Sequence, residues 1–328
     1  MLRVGILGAG HFATRHLAAL ERLHGRIQLV CVGREHPERP FPPAEALGVP
    51  VLAPDAVIAS PDVDAVCVCA PNHRHRSLAE AALGAGKHVF CEKPLVLTVA
   101  DADALIRAST EANRVLMAGH LTRYTPIYTA AAAALAAGRI GKPVAVQAAR
   151  LQVRGDDASW RMDGHAGGGA PFDLLIHDFD LLNWFLGPPE CVFARGRRHA
   201  RGAYDSMTAV FSYAGRVTAG VYGGFVLQPP APFRAQFRVI GERGHIGIDT
   251  ADTEHPVRVL EAGREEEAVP LEPPAPGLEG VAGEWGEFAD TVEGRGAGRL
   301  RLGDARQAVA CAALAVRSAD EAVELRFP

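Results

Sequence analysis

The chain has 328 residues, 48% of them hydrophobic and 22% charged, which describes an ordinary globular chain of about two domains and excludes wholesale disorder. Its 34 basic and 38 acidic side chains leave a formal charge of −4, so nucleic acid and anionic membrane surfaces are not expected partners. The longest apolar runs, the Ala-rich stretches 130–137 and 308–316, fall far short of the ~20 residues that span a bilayer.

In chain order, residues 2–7, 27–33, 64–70, 87–91 and 115–119 are short apolar runs. Helical patterns follow the first run to about residue 24 and recur at 74–86 and 98–113. Near-continuous apolar runs alternating with helices predict a parallel sheet buried on both faces, doubly wound through right-handed crossovers. The segment 36–54, rich in Pro and charge, reads as a surface loop and a short connection. Beyond about residue 120 the texture changes. A helix is predicted over 125–138, ending at Gly138. Strands are predicted at 143–151, 191–199, 207–214, 217–225 and 234–241, with 207–225 a hairpin turning at Ala214-Gly215. Strands without intervening helices predict a mostly antiparallel sheet in an α+β second domain. The Pro-rich segment 270–280 reads as loop, and 283–294 and 303–319 as closing helices. The predicted fold class is α/β, with a Rossmann domain over 1–120 and a second domain over 121–328.

Six cysteines, at 31, 67, 69, 91, 191 and 311, form no CxxC pair. Cys31, Cys67 and Cys69 lie in strand-like runs and read as buried, reduced thiols, in keeping with a reducing compartment. The opening MLRVGILGAG runs straight into a strand pattern without a cleavable signal, so a cytoplasmic protein is expected.

Gly8-Ala9-Gly10-His11-Phe12-Ala13 follows the first strand and opens the first helix. This is the GxGxxG/A form of a dinucleotide fingerprint. Gly8 permits the tight turn, Gly10 lets the backbone approach a pyrophosphate, and Ala13 permits close helix–strand packing. The helix N-terminus supplies N–H groups to the phosphates. At the end of the second strand, Arg34 falls where an acidic residue would hold the ribose of NAD, and a guanidinium suits the 2′-phosphate of NADP. The other reading is a solvated Arg34 with Glu35 gripping the ribose, which leaves NAD open. Ligands of open α/β sheets bind beyond the carboxyl ends of the strands. Ala70, Pro71, Asn72 and His75 end one strand, Glu92 and Lys93 another. With His11 and Phe12 they are expected at the cofactor crevice.

These motifs, GAGHFA at 8–13, DVDAVCVCAPNHRH at 62–75 and AGKHVFCEKP at 85–94, are joined by GHLTRYTP at 119–126 and GGGAPFDLLIHDFDLLNWFLG at 167–187. Along essentially its whole length the chain resembles the glucose-fructose oxidoreductase/inositol dehydrogenase/rhizopine-catabolism family, called Gfo/Idh/MocA. The resemblance implies a Rossmann domain followed by a domain with a large open sheet, whose outer face builds homodimers or homotetramers. It implies oxidation or reduction of hydroxyl and keto groups on sugars, inositols and related polyols. It also implies that Lys93 is the catalytic lysine and that Asp173 and His177 are the family's downstream Asp-xxx-His pair. If residues 172–186 form one helix, the spacing of four puts Asp173 and His177 on one face. Hydride transfer from a C–H requires proton removal from the adjoining O–H, which suits the imidazole of His177. Lys93 as a cation would lower the pKa of that hydroxyl, and Asp173 would orient the substrate or the imidazole.

His120, Arg123 and Tyr124 follow the last strand of the first domain, and Arg154, Trp160 and Arg161 lie in the polar, Gly-rich stretch 152–169. They are candidate substrate contacts, the arginines suiting a carboxylate or phosphate. His177-Asp178 with Asp180, His120 or His165 makes no recognisable zinc signature, and no catalytic metal is expected. Two other readings stand beside the dehydrogenase: redox-neutral glycoside cleavage on the same scaffold, and a non-catalytic dinucleotide-binding regulator. A complete Lys93, Asp173 and His177 set argues against the regulator.

Overall fold

Short strands with no polar face build the first sheet. The computed structural model describes residues 1–271, 280–296 and 298–328. The first elements are β1 (Leu2–Leu7), α1 (His11–Arg22), β2 (Ile27–Gly33), α2 (Pro42–Ala46), β3 (Val51–Leu52), α3 (Pro54–Ala59), β4 (Ala65–Val68), α4 (His75–Gly84), β5 (His88–Glu92), α5 (Val99–Glu111) and β6 (Leu116–Gly119). The strands lie in the order β3-β2-β1-β4-β5-β6, and every pairing is parallel. All residues of β4 and β6 are buried, as their unbroken apolar sequences require. Strand order reverses between β1 and β4, the switch point where doubly wound sheets take their ligands. The predicted loop 36–54 is more structured than expected. Pro42 and Pro43 start α2, where a missing N–H is tolerated, and β3 pairs with β2 through only two residues, too few to leave a periodic signal.

The chain continues with α6 (Pro126–Ala136), β7 (Pro143–Val153), α7 (Gly169–Asp173), α8 (Ile176–Leu186), β8 (Cys191–Arg198), β9 (Tyr204–Tyr213) and β10 (Val217–Leu227). It closes with β11 (Arg234–Gly241), β12 (Gly244–Asp249), β13 (Val257–Glu261), β14 (Glu267–Ala268), α9 (Val281–Val292), α10 (Leu302–Glu321) and β15 (Leu325–Arg326). The second sheet has nine strands in the order β14-β13-β12-β11-β7-β10-β9-β8-β15; only β7 and β10 pair in parallel. Burial alternates along β9 and its neighbours, so one face is packed. On that face Phe179 of α8 meets Phe211 at 5.3 Å between ring centres. The opposite face exposes Phe193, Val210 and Tyr222. The β9–β10 hairpin turns through Ala214–Arg216, with Gly215 at φ +73°.

Two compact units result: Met1–Tyr124 with Pro274–Arg306, and Thr125–Pro273 with Gln307–Pro328. Helix α9 therefore belongs with the first sheet. Its Trp285 and Phe288 are fully buried in a core shared with Leu17, Leu20 and Phe90. Of the Pro-rich loop expected at 270–280, residues 272–279 lie outside the described residues.

The single helix expected over 172–186 is two helices. Asp173 closes α7 and Ile176 opens α8. The amide of Leu175 reaches five residues back to the carbonyl of Ala170 at 2.8 Å, widening the turn, and Leu174 sits at φ −113°, ψ −58°. Asp173 and His177 thus lie on either side of a distorted turn, not on the face of one regular helix.

Candidate active site

The glycine turn is built by the main chain. Gly8 adopts φ +134°, its amide donates to the carbonyl of Gly33 at 2.8 Å, and a Cβ there would lie 2.0 Å from the carbonyl oxygen of Cys69. Only glycine fits that conformation and that approach of β1 to β4. Gly10 caps α1 in an extended conformation, and a Cβ on it would meet nothing within 4 Å. The space beside the start of α1 is therefore open, which fits the close approach of a pyrophosphate. Ala13 is fully buried beneath the turn, His11 is exposed and Phe12 half-buried.

At the end of β2, Arg34 donates to the carbonyls of Arg39 and Pro40, each at 3.1 Å. The neighbouring Glu35 is exposed and ion-paired with Arg74. The loops after β4 and β5 are tied by His75, which is 1% exposed; its ring nitrogens lie 2.9 Å from the carbonyl of Ala70 and 2.8 Å from that of Pro94. Burial pushes His75 below the ordinary histidine value, against the pull of those two carbonyls. Ala70 and Pro71 are half-buried and Asn72 is buried in the same loop. Lys93 is half-buried just past β5, and its amide donates to the buried carboxylate of Glu92 at 3.1 Å. Burial raises the thiols of Cys67, Cys69 and Cys91, so none is a ready thiolate nucleophile. Cys69 is half-buried, where full burial was expected.

Past β6 the three candidate substrate contacts are buried. His120 and Arg123 are 0% and 2% exposed. Arg123 donates to Asp304 and to the carbonyl of Arg299, both at 2.9 Å, within the first unit. A charge this buried requires such a partner. Tyr124 is also buried there; burial and the carboxylates of Glu287 and Glu284 raise its phenol.

In the second unit three predicted residues come together. Arg161 pairs with Asp173 at 3.1 Å and lies 5.0 Å from the ring centre of Trp160. His177 keeps 9% exposure, whereas residues 178–182 keep 0–1%. Arg154 is exposed and held by Asp157 at 2.8 and 2.9 Å.

The sequence reading missed what fixes α8. Arg150 on β7, 4% exposed, grips Asp178 with two hydrogen bonds of 2.8 and 2.9 Å and reaches the hydroxyl of Tyr128 at 3.2 Å. Burial alone would lower the Arg150 pKa, but Asp178 and Tyr128 outweigh it and hold the guanidinium charged. The clamp ties α8 to β7 one residue past His177. Asp178 beside His177 was the available signal; its partner 28 residues away was not. The second device is Gly169, at φ +68°, whose Cβ would lie 2.3 Å from the carbonyl oxygen of Tyr204; its absence lets α7 sit close against β9. Among the described residues no group of three or more His, Cys, Asp or Glu is placed to hold a metal, and no helix is long and apolar enough to cross a membrane.

A doubly wound parallel sheet with this glycine turn after its first strand defines a dinucleotide-binding Rossmann domain. Residues 2–120 match the family described as "Oxidoreductase family, NAD-binding Rossmann fold", and residues 128–247 match the GFO/IDH/MocA C-terminal domain. The chain belongs to the Gfo/Idh/MocA oxidoreductase family. It is similar to a 1,5-anhydro-D-fructose reductase of Ensifer adhaerens, 35% identical over 58% of this chain and 59% of the relative. It is similar to a myo-inositol 2-dehydrogenase of Thermotoga maritima, 35% identical over 60% of this chain and 58% of the relative. Both matches thus span less than two thirds of the relative's length. Among solved structures, an aldose-aldose oxidoreductase from Caulobacter crescentus complexed with glycerol superimposes with a TM-score of 0.88 at 26% identity, over 99% of each chain.

Proposed function

We propose that the protein is an NAD(P)-dependent oxidoreductase that transfers a hydride between the nicotinamide and a hydroxyl or keto carbon of a sugar, inositol or related polyol. The observation that carries this reading is that the Gly8–Ala13 turn and Lys93 share the carboxyl edge of one parallel sheet. The names of the relatives, a sugar reductase and an inositol dehydrogenase, support the substrate class. Gly8, Gly10, Ala13 and the start of α1 would hold the pyrophosphate, with His11, Phe12, Ala70, Pro71, Asn72, His75 and Glu92 around it. When bound, the nicotinamide supplies or accepts the hydride. Lys93 holds a positive charge toward the reacting oxygen and stabilises its alkoxide. His177 takes the hydroxyl proton in oxidation and returns it in reduction. Asp173, held by Arg161, orients the substrate or the imidazole, and Trp160 and Arg161 contact the substrate.

Arg34 is the proposed contact to a 2′-phosphate, which favours NADP over NAD. Its partners are neutral carbonyls, which a phosphate outcompetes, while Glu35 is already tied to Arg74. The first unit is the proposed dinucleotide domain, and the second takes the substrate and pairs subunits. Phe193, Val210 and Tyr222 on the outer sheet face support a homodimer or homotetramer. Six free cysteines support a cytoplasmic setting. A panel of sugars, inositols and nucleotide sugars assayed with NAD and NADP, followed by the absorbance of the reduced nicotinamide, tests the reading. Cofactor-dependent turnover of a polyol supports it, and dinucleotide binding without turnover of any of them contradicts it.

A further inference from the structure

A buried polar chain runs from the far end of the sequence to the residue before Lys93. His16, on α1 and 0% exposed, is boxed edge-on by Phe12, Phe90 and Trp285 at 5.5, 5.5 and 5.9 Å between ring centres. The indole nitrogen of Trp285 lies 3.0 Å from its Nδ1, and its Nε2 lies 3.0 Å from Oε1 of Glu92. An indole N–H only donates, so Nδ1 accepts and the ring proton sits on Nε2, where it is donated to Glu92. The second oxygen of Glu92 accepts the amide of Lys93. Gly119 of β6, paired with Glu92, leaves room for this carboxylate: a Cβ there would stand 3.0 Å from Oε1. Trp285 is itself fixed by stacking on Phe90, 4.8 Å between ring centres.

We propose that His16 and Trp285 are positioning residues for Lys93: the indole selects one imidazole tautomer, that tautomer fixes the Glu92 carboxylate, and the carboxylate fixes the main chain from which the Lys93 side chain departs. The inference rests on the reading of Lys93 as the catalytic cation. A buried carboxylate is tolerated only when hydrogen-bonded, so loss of the imidazole donor forces Glu92, and residue 93 with it, to move or take another partner. The chain also gives a functional reason for α9 to pack on the first sheet.

The test uses the full chain labelled with 13C-lysine. Lys87, Lys93 and Lys142 are its three lysines, so the Lys93 Cε–H signal is read directly and assigned with Lys93→Met. His16→Leu removes both hydrogen bonds, Trp285→Phe removes the indole donor and keeps the stack, and His16→Gln replaces an acceptor and a donor with an acceptor and a donor. The expected result is that His16→Leu and Trp285→Phe shift the Lys93 signal but not that of Lys142. They should lower kcat for the best polyol of the panel by about ten- to a hundredfold, the range expected for a small misplacement of a reacting group. NADPH affinity by fluorescence should be unchanged, and His16→Gln should restore most of kcat. An unmoved Lys93 signal with wild-type kcat in folded His16→Leu overturns the proposal; should that variant not fold, the same result in Trp285→Phe does so. If Lys93→Met keeps wild-type turnover, the catalytic reading of Lys93 fails instead, and the kinetic part of the proposal with it.

Discussion

In the first unit the groups proposed to hold the dinucleotide are placed by the main chain: a glycine at φ +134° and the start of a helix. In the second unit, Asp173 and His177 are placed by side chains, through Arg161 on one carboxylate and Arg150 on Asp178. A site made by backbone geometry tolerates surface change and fails when its glycine changes. A site made by ion pairs depends on partners that can be removed singly. Substitutions at the main-chain site should therefore break binding, and those at the ion-paired site only turnover.

The largest effect is expected in the second unit. His177→Ala should lower kcat by roughly 10²–10⁴-fold, the usual range for general acid–base catalysis. Dinucleotide affinity, read by quenching of protein fluorescence, should stay at the wild-type value. Steady-state kinetics across pH 6–9 check this, and full activity of the variant would remove His177 from the mechanism.

Next comes the main-chain site. Gly8→Ala should destabilise the first unit by about 3 kcal/mol, since a Cβ both strains the backbone and overlaps a carbonyl. Urea unfolding reads the loss, and dinucleotide binding should fall with it, the reverse of the His177→Ala pattern.

A smaller effect tests the one side chain assigned to the dinucleotide's adenosine end. Arg34→Asp should shift preference from NADP toward NAD by about ten- to a hundredfold, the worth of one charge-assisted hydrogen bond. Dissociation constants for both cofactors measure it, and a wild type that already prefers NAD would show that Arg34 is not a phosphate contact.

The smallest effect concerns the histidine that ties two loops of the first unit. His75 is held below the ordinary histidine pKa chiefly by burial. The unfolded chain therefore binds more protons than the folded one as pH falls through about 6.5, and stability present above that pH is lost below it. Urea midpoints from pH 8 to pH 5 should fall for the wild type and fall less for His75→Gln.

The same contrast explains what could be read in advance. Gly8–Ala13 was legible because one residue type suits that turn, and its spacing is local. The two sheets were legible because unbroken and alternating apolar patterns dictate burial. The separate α7 and α8 were not, because the turn between them is Leu174-Leu175, with no Gly or Pro to mark it. The pairing of Arg123 with Asp304 was not legible either, because the two lie 181 residues apart. The return of α9 rests on Trp285 meeting His16 across 269 residues, and no periodicity within either helix encodes that.

Lys93 is proposed to act on the substrate and not on the fold or on dinucleotide binding. The direct measurement is a paired comparison of wild type and Lys93→Met: dinucleotide dissociation constant, circular dichroism, and turnover of the best polyol in the panel. Unchanged spectrum and affinity are expected, with turnover at least about a hundredfold lower. A folded Lys93→Met protein that binds dinucleotide and turns the polyol over at the wild-type rate would contradict it.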